Sequence, residues 1–268
     1  MPTTVQAAFL GVVQGLTEFL PVSSTAHLIL ARAVFGYDGD KFGLSFDVAC
    51  HVGTVLAVLT YFRREVGGML ASVPRMFRGT DDNARLIWLL VVGTIPAAAA
   101  GVVFKGQIEE HLRTPPVAAV ALALGAFAFL AAERAGAQAR SDRTLTIMEA
   151  FWIGCAQAVA LVPGVSRSGA TLTVALLLGL RRAEAARFIF LLAVPAILGA
   201  GASEAPEMLK AGMDGDGALL FFTGVVSSAI VGYIAVKYFI RYLANHSLDL
   251  FAWYRLGLAG VVAIWLAQ

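Results

Sequence analysis

Charge is what this sequence has least of. Asp, Glu, Lys and Arg make up 14% of its 268 residues, against about a quarter in a soluble domain, too few to cover an ordinary water-facing surface. Its two cysteines, Cys50 and Cys155, give neither a disulfide framework nor a zinc spacing. Both lie in apolar stretches and read as small buried residues. A formal net charge of +2 excludes the basic footprint that nucleic-acid binding needs. The first Lys or Arg is Arg32, so there is no basic n-region and a cleaved signal peptide is not expected. Strand-like alternation of apolar and polar residues is missing too.

What is present is hydrocarbon. Apolar runs at 46–62, 86–104, 116–133, 188–203, 217–237 and 248–267 each approach the ~20 residues that cross a bilayer as a helix. The expectation is an all-α integral membrane protein with six transmembrane helices. Basic residues orient it. Arg63, Arg64, Arg75, Arg78 and Arg85 share one connection, Arg134, Arg140 and Arg143 a second, Arg181, Arg182 and Arg187 a third, Lys237 and Arg241 a fourth. The intervening connections, 35–45, 105–115 and 204–216, hold only Lys41, Lys105, Arg113 and Lys210. The basic set belongs in the cytoplasm.

This assignment forces residues 147–180 to leave the cytoplasm and return to it, and residues 3–34 to do the same from outside. Two re-entrant helix-loop-helix hairpins follow, one interrupted by FLPVSSTAH and one by PGVSRSG. An offset of 143 residues lays Gly11 on Gly154, Gln14 on Gln157 and Ser23 on Ser166. One hairpin plus three crossings is an odd number of passes, so the second copy is upside down. The chain therefore reads as a single membrane domain built as an inverted-topology repeat. Its copies span about 1–140 and 141–268, and the hairpins meet near the midplane to form the site.

The two interruptions carry the polar residues. In QGLTEFLPVSSTAHL, residues 14–28, Gln14 and Glu18 share a helix face. Pro21 stops that helix, and Ser23, Ser24 and Thr25 read as caps for a second half-helix, with His27 one turn on. At the second tip Pro163-Gly164 stops a helix, Ser166, Arg167 and Ser168 follow, and Thr171 lies one turn further. Helix N-termini suit phosphate, and the Arg167 fork matches phosphate oxygens. Serines and threonines in membrane helices also serve as caps and glue. Intramembrane Glu18 and Arg167 are functional by default, with a structural ion pair between them as the alternative. Asp47 and His51, four apart, extend the site or anchor the interface. Glu149 reads as a cap at the cytoplasmic surface, and Arg32 as a side chain reaching the outer interface.

GVVQGLTEFLPVSSTAHL and PGVSRSGATLT resemble the two signature stretches of the bacterial undecaprenyl-pyrophosphate phosphatase family, also called bacitracin-resistance protein A. FDVACHVGTVLAVLTYFRR, LLAVPAILGA and the terminal span with its Tyr-Arg pair fit as well. In the family's first motif, Glu or Gln, three residues, then Glu, this chain has Gln14 and Glu18, leaving one carboxylate where some members have two. The second motif is intact at Pro163, Gly164, Ser166, Arg167, Ser168 and Thr171. The resemblance implies removal of the terminal phosphate from undecaprenyl pyrophosphate, recycling a cell-wall lipid carrier and conferring bacitracin resistance. It also implies a divalent cation, Mg2+ or Ca2+, and a bacterial inner-membrane site open to the periplasm.

For that substrate Arg167, Ser23, Thr25, Ser166, Ser168 and Thr171 are the expected phosphate ligands. Ser24 is the expected nucleophile with His27 as its base. Glu18 is assigned to metal binding or proton handling, and Gln14, Gly164, Gln157, Asp47 and His51 to supporting positions. His27 as nucleophile and water activated by Glu18 are the rivals. The other function class is a transporter or flippase of a phosphorylated isoprenoid lipid or another anion, which shares broken helices and inverted repeats but has no use for a nucleophile and its base. Partners are membrane lipids and the lipid substrate; homodimerisation is left open.

Overall fold

The computed structural model describes residues 2–39, 41–77, 81–211 and 215–267. Arg78 and the side chains of Lys105 and Lys210 lie outside this description. The described chain is helical, with one isolated bridge that sets Arg140 beside Leu180 through Arg140 N–H to the Gly179 carbonyl and Arg181 N–H to the Arg140 carbonyl. Its helices are α1 (Thr3–Phe19), α2 (Ser24–Phe35), α3 (Leu44–Tyr61), α4 (Arg63–Ser72), α5 (Asp82–Gln107), α6 (Pro115–Ala135), α7 (Ile147–Val159), α8 (Arg167–Leu177), α9 (Arg182–Ala211), α10 (Gly215–Leu243) and α11 (Asp249–Leu266).

Among the described residues, six helices are long and apolar enough to cross a membrane: Leu44–Tyr61, Asp82–Phe104, Pro115–Ala135, Arg182–Ser203, Gly217–Leu243 and Asp249–Leu266. Val102, Leu124, Phe127, Trp253, Val261 and Ile264 point outward from them, as expected where lipid is the solvent. Two details differ from expectation. The 63–85 connection is not all loop, since α4 and a 3-10 turn at Val73–Arg75 occupy half of it. The fifth crossing runs on to Leu243, because Lys237 and Arg241 can keep a long helix going while their charged ends reach water.

The basic connections gather at one end of the molecule. Arg85 donates to the carbonyls of Arg143 and Leu145. Arg187 pairs with Asp142, and Arg182 with Glu133. Glu133 also accepts from the backbone N–H of Leu248, which ties the α10–α11 turn to the same end. Glu149 is the cap it was expected to be. It closes a capping box with Thr146 and accepts from Arg140 at 2.7 Å. Thr146→Ala should cost about 1 kcal/mol, visible as a lower Tm in detergent with activity retained in the folded fraction.

Each half of the chain opens on a broken helix, and each first half-helix packs on a long helix of the other half: α1 along α10, and α7 along α5. Glycines permit both approaches. A Cβ at Gly11 would overlap the Gly224 backbone, and one at Gly154 the Gly93 backbone. Around them a core of Phe19, Phe129, Ile153, Leu172, Phe188 and Phe190 is shut off from the surroundings.

Both breaks have the same local form. α1 stops at Phe19, and Leu20 turns extended (φ −69°, ψ 140°), as a residue before proline must. Ser23 and Ser166, equivalent at the offset of 143, are N-caps with φ 71° and 72°. That left-handed backbone is costly for a residue with a side chain. Each hydroxyl accepts the N–H three residues on, from Ala26 and Gly169, which offsets part of the strain.

Candidate active site

The two breaks meet at Glu18. It lies one residue inside the end of α1, with its side chain 4% exposed. Oε2 accepts from Gln14 Nε2 at 2.8 Å and from Ser24 Oγ at 2.7 Å, while Oε1 accepts from Arg167 at the start of α8. His51 Nε2 stands 3.3 Å from Oε2. Helix geometry explains Gln14, one turn back on the same face. The break explains Ser24: four residues of non-helical chain fold the first residue of α2 back over the last turn of α1. Burying an ion pair costs several kcal/mol per ion unless the remaining lone pairs are also bonded. Here the carboxylate accepts from three side chains and faces the His51 ring with a fourth contact.

His51 is held by its own helix, its Nδ1 donating to the Asp47 carbonyl at 2.7 Å. That bond fixes the Nδ1 proton and aims Nε2 at Glu18. His51 thus belongs to the cluster. Asp47 does not: its carboxylate takes Arg32 at 2.6 and 3.0 Å and Arg113 at 3.0 Å. Arg32, expected at the outer interface, is tied in by Asp47 and by the Phe42 carbonyl.

The expected Ser24–His27 hydrogen bond is not formed. His27 Nδ1 donates to the Ser23 carbonyl and Nε2 meets the Tyr254 hydroxyl, both at 2.7 Å, and the two rings stack with planes 6° apart. The carbonyl four residues back captures the imidazole and turns it toward α11. The Ser24 hydroxyl donates instead to Glu18.

The hydroxyls expected on phosphate hold the breaks in shape. Ser23 and Ser166 cap their helices. Ser168 donates to the Leu20 carbonyl at 3.1 Å, which joins the two breaks, and Thr171 donates to the Arg167 carbonyl at 2.7 Å. Thr25 is half-buried on the first turn of α2. Gly164 has φ +96°, and a Cβ there would overlap the Ala118 backbone. Among the described residues, Gln14 Oε1 and both amide atoms of Gln157 are buried without a hydrogen-bond partner.

Arg255, on α11, is fully buried. It donates to the carbonyls of Pro21 in the first break, Gly164 and Val165 in the second, and Ala121 and Leu122 on α6, at 3.0–3.2 Å. Broken helices leave carbonyls with no partner, and lipid supplies none. One guanidinium answers for both breaks at once. Its signal was in the sequence, as an arginine inside an otherwise apolar span, the same feature that singled out Glu18 and Arg167.

Among the described residues no group of three or more His, Cys, Asp or Glu side chains could hold a metal. The cluster still offers two oxygens suited to a hard cation, the Glu18 carboxylate and the unpartnered Gln14 Oε1. Mg2+ typically takes its remaining ligands from phosphates and water.

Fold and site together define a multi-pass helical membrane protein with a hydroxyl, a carboxylate and a guanidinium converging in its interior. Residues 7–261 match the family model described as bacitracin resistance protein BacA. The chain belongs to that family. It is 49% identical over 262 residues to an undecaprenyl-diphosphatase of Rubrobacter xylanophilus, with 96% of each chain covered. A Thermodesulfovibrio yellowstonii protein of the same name is 43% identical, covering 96% of this chain and 95% of its own. Undecaprenyl-diphosphatase 2 of Stutzerimonas stutzeri is 44% identical over 97% of both.

Proposed function

We propose that this chain hydrolyses undecaprenyl pyrophosphate to undecaprenyl phosphate and inorganic phosphate, recycling the carrier lipid of cell-wall synthesis and so conferring bacitracin resistance. The observation that carries the reading is the Ser24 hydroxyl donating at 2.7 Å to a buried carboxylate that Arg167 holds from the opposite break. Phosphoryl transfer needs positioning and charge stabilisation more than covalent help, and this cluster supplies both.

In the proposed reaction the terminal phosphate draws Arg167 away from Glu18. The freed carboxylate takes the Ser24 proton as Oγ attacks the terminal phosphorus in line. The anhydride P–O bond breaks and undecaprenyl phosphate leaves. Glu18 passes that proton to the departing phosphate and then takes one from water, which attacks the phosphoserine; the proton returns to Ser24 Oγ as orthophosphate is released. A divalent cation, Mg2+ or Ca2+, would be held by Glu18, Gln14 Oε1 and the phosphates, and would supply further charge neutralisation when bound. Gln14 and His51 orient Glu18.

Residues 1–140 and 141–268 are proposed as inverted copies whose re-entrant tips meet at mid-membrane. The reciprocal packing of α1 and α7 and the paired left-handed caps support this. The end bearing the basic connections faces the cytoplasm of a bacterial inner membrane, and the site opens toward the periplasm. A carrier of the same lipid would use Arg167 equally well, but it gains nothing from a serine bonded to a buried carboxylate.

Ser24→Ala tests the route. With substrate labelled in its terminal phosphate, an acid quench should trap label on the wild-type protein and none on the variant, whose kcat should fall about 10³-fold or more. Full activity in Ser24→Ala would transfer the attack to water. Cation-dependent turnover lost on chelation would support the metal.

A further inference from the structure

We infer that Arg113, held on Asp47 beside Arg32, forms a second anion site, one helical turn outward from Glu18, which takes a phosphate or pyrophosphate group on its way to or from the reaction centre. The inference rests on the phosphatase reading for its ligand's source, and on geometry for the site. Asp47 and His51 lie four apart on α3, hence on one face. His51 reaches Glu18, and a turn away Asp47 gathers Arg32 and Arg113. This second cluster is built from the last turn of α2, the connection after it, the start of α3 and the α5–α6 connection, at the end of the molecule away from the basic connections.

Its charge does not balance. Among the described residues two guanidiniums share one carboxylate whose side chain is 5% exposed, which leaves one net positive charge in a largely enclosed position. Arg32 gives both of its Nη atoms to protein, to the two Asp47 oxygens and the Phe42 carbonyl. Arg113 does not: it gives only Nη2 to Asp47. Among the described residues its Nε and Nη1 have no hydrogen-bond acceptor, and its side chain is 25% exposed. A fixed guanidinium with donors to spare binds phosphate oxygens well. Were Arg113 only a tie for Asp47, the bidentate Arg32 would already suffice. The position suits two ligands of one chemistry: the lipid pyrophosphate head approaching, and the orthophosphate departing.

The experiment uses the full chain in detergent, with Arg113→Gln and Arg113→Lys. KM for undecaprenyl pyrophosphate or Ki for orthophosphate should rise about tenfold in Arg113→Gln, the loss of one charge-assisted contact. The change in kcat should be smaller, and Arg113→Lys should lie between. A rise in KM alone identifies the incoming head as the ligand, and a rise in Ki alone the departing phosphate. A fall in kcat with KM and Ki unmoved would overturn the inference by making Arg113 a structural tie, as would no change at all. A calorimetric titration with inorganic pyrophosphate needs no turnover, so it stays decisive if the phosphatase reading fails. In an Arg167→Ala background, binding should persist with Arg113 present and disappear in the Arg113→Gln double variant. No binding to the Arg167→Ala protein would also sink the proposal. If Arg113→Gln fails to fold, Arg113→Lys, which keeps the charge beside Asp47, carries the same comparison.

Discussion

Arg167→Ala should reduce phosphate release from undecaprenyl pyrophosphate by about 10³-fold or more, the scale seen when an arginine that neutralises a transferring phosphoryl group is removed. Two losses combine. The phosphate loses the guanidinium that spreads over its oxygens, and Glu18 loses the partner that reaches it from the second break. Arg167→Lys separates them. A lysine keeps the charge but is a single point, and it cannot exchange carboxylate for phosphate through a planar fork. Its activity should recover only in part. Arg167 and Glu18 touch, so their effects should not add: once Arg167→Ala is made, Glu18→Gln should cost far less than it does alone. The readout is orthophosphate released by purified protein with added Mg2+ or Ca2+. Wild-type rates in Arg167→Ala would remove the two breaks from the chemistry altogether.

The features legible in the sequence were those that local rules control. Six apolar runs gave the crossings, because length and hydropathy alone decide whether a helix can span a bilayer. Proline and serine marked both breaks, and glycine the second. Gln14 and Glu18 were a pair from their spacing. Ser24's partner was not legible. The rule that links residues three or four apart on a helix pointed to His27, but the relevant neighbour stands six residues back across a break, where no periodicity applies. His27 was lost to a local competitor, the Ser23 carbonyl, and to Tyr254, which is 227 residues away in sequence. α4 was hidden for a different reason. RREVGGMLAS has two adjacent glycines and few apolar residues, and it is helical where it turns away from the end of α3. Arg255 could have been found by the rule already applied to Glu18, that a charge in an apolar span needs a reason.

That reason gives the second large effect. Arg255→Met keeps the volume and removes every donor, so five buried carbonyls, in Pro21, Ala121, Leu122, Gly164 and Val165, lose their partner together. Each unpaired buried acceptor costs roughly 1–3 kcal/mol. Relief from burying a charge offsets part of this, which leaves a net loss of several kcal/mol and a much lower Tm in detergent. Gly125 and Gly169 pack closely on the guanidinium, and a methionine of similar volume fills most of that space, which leaves little for water. The breaks should therefore move apart instead, and the contact they share at Glu18 and Arg167 should open with them. Protein that still folds should show a kcat reduced about 100-fold or more, since a displacement of about 1 Å in positioned groups has that effect. Arg255→Lys discriminates between charge and geometry. One ammonium carries the same charge but three donors, too few for five carbonyls spread over three segments. If charge alone mattered, lysine would restore both stability and turnover; if the strut is what matters, it should restore neither fully.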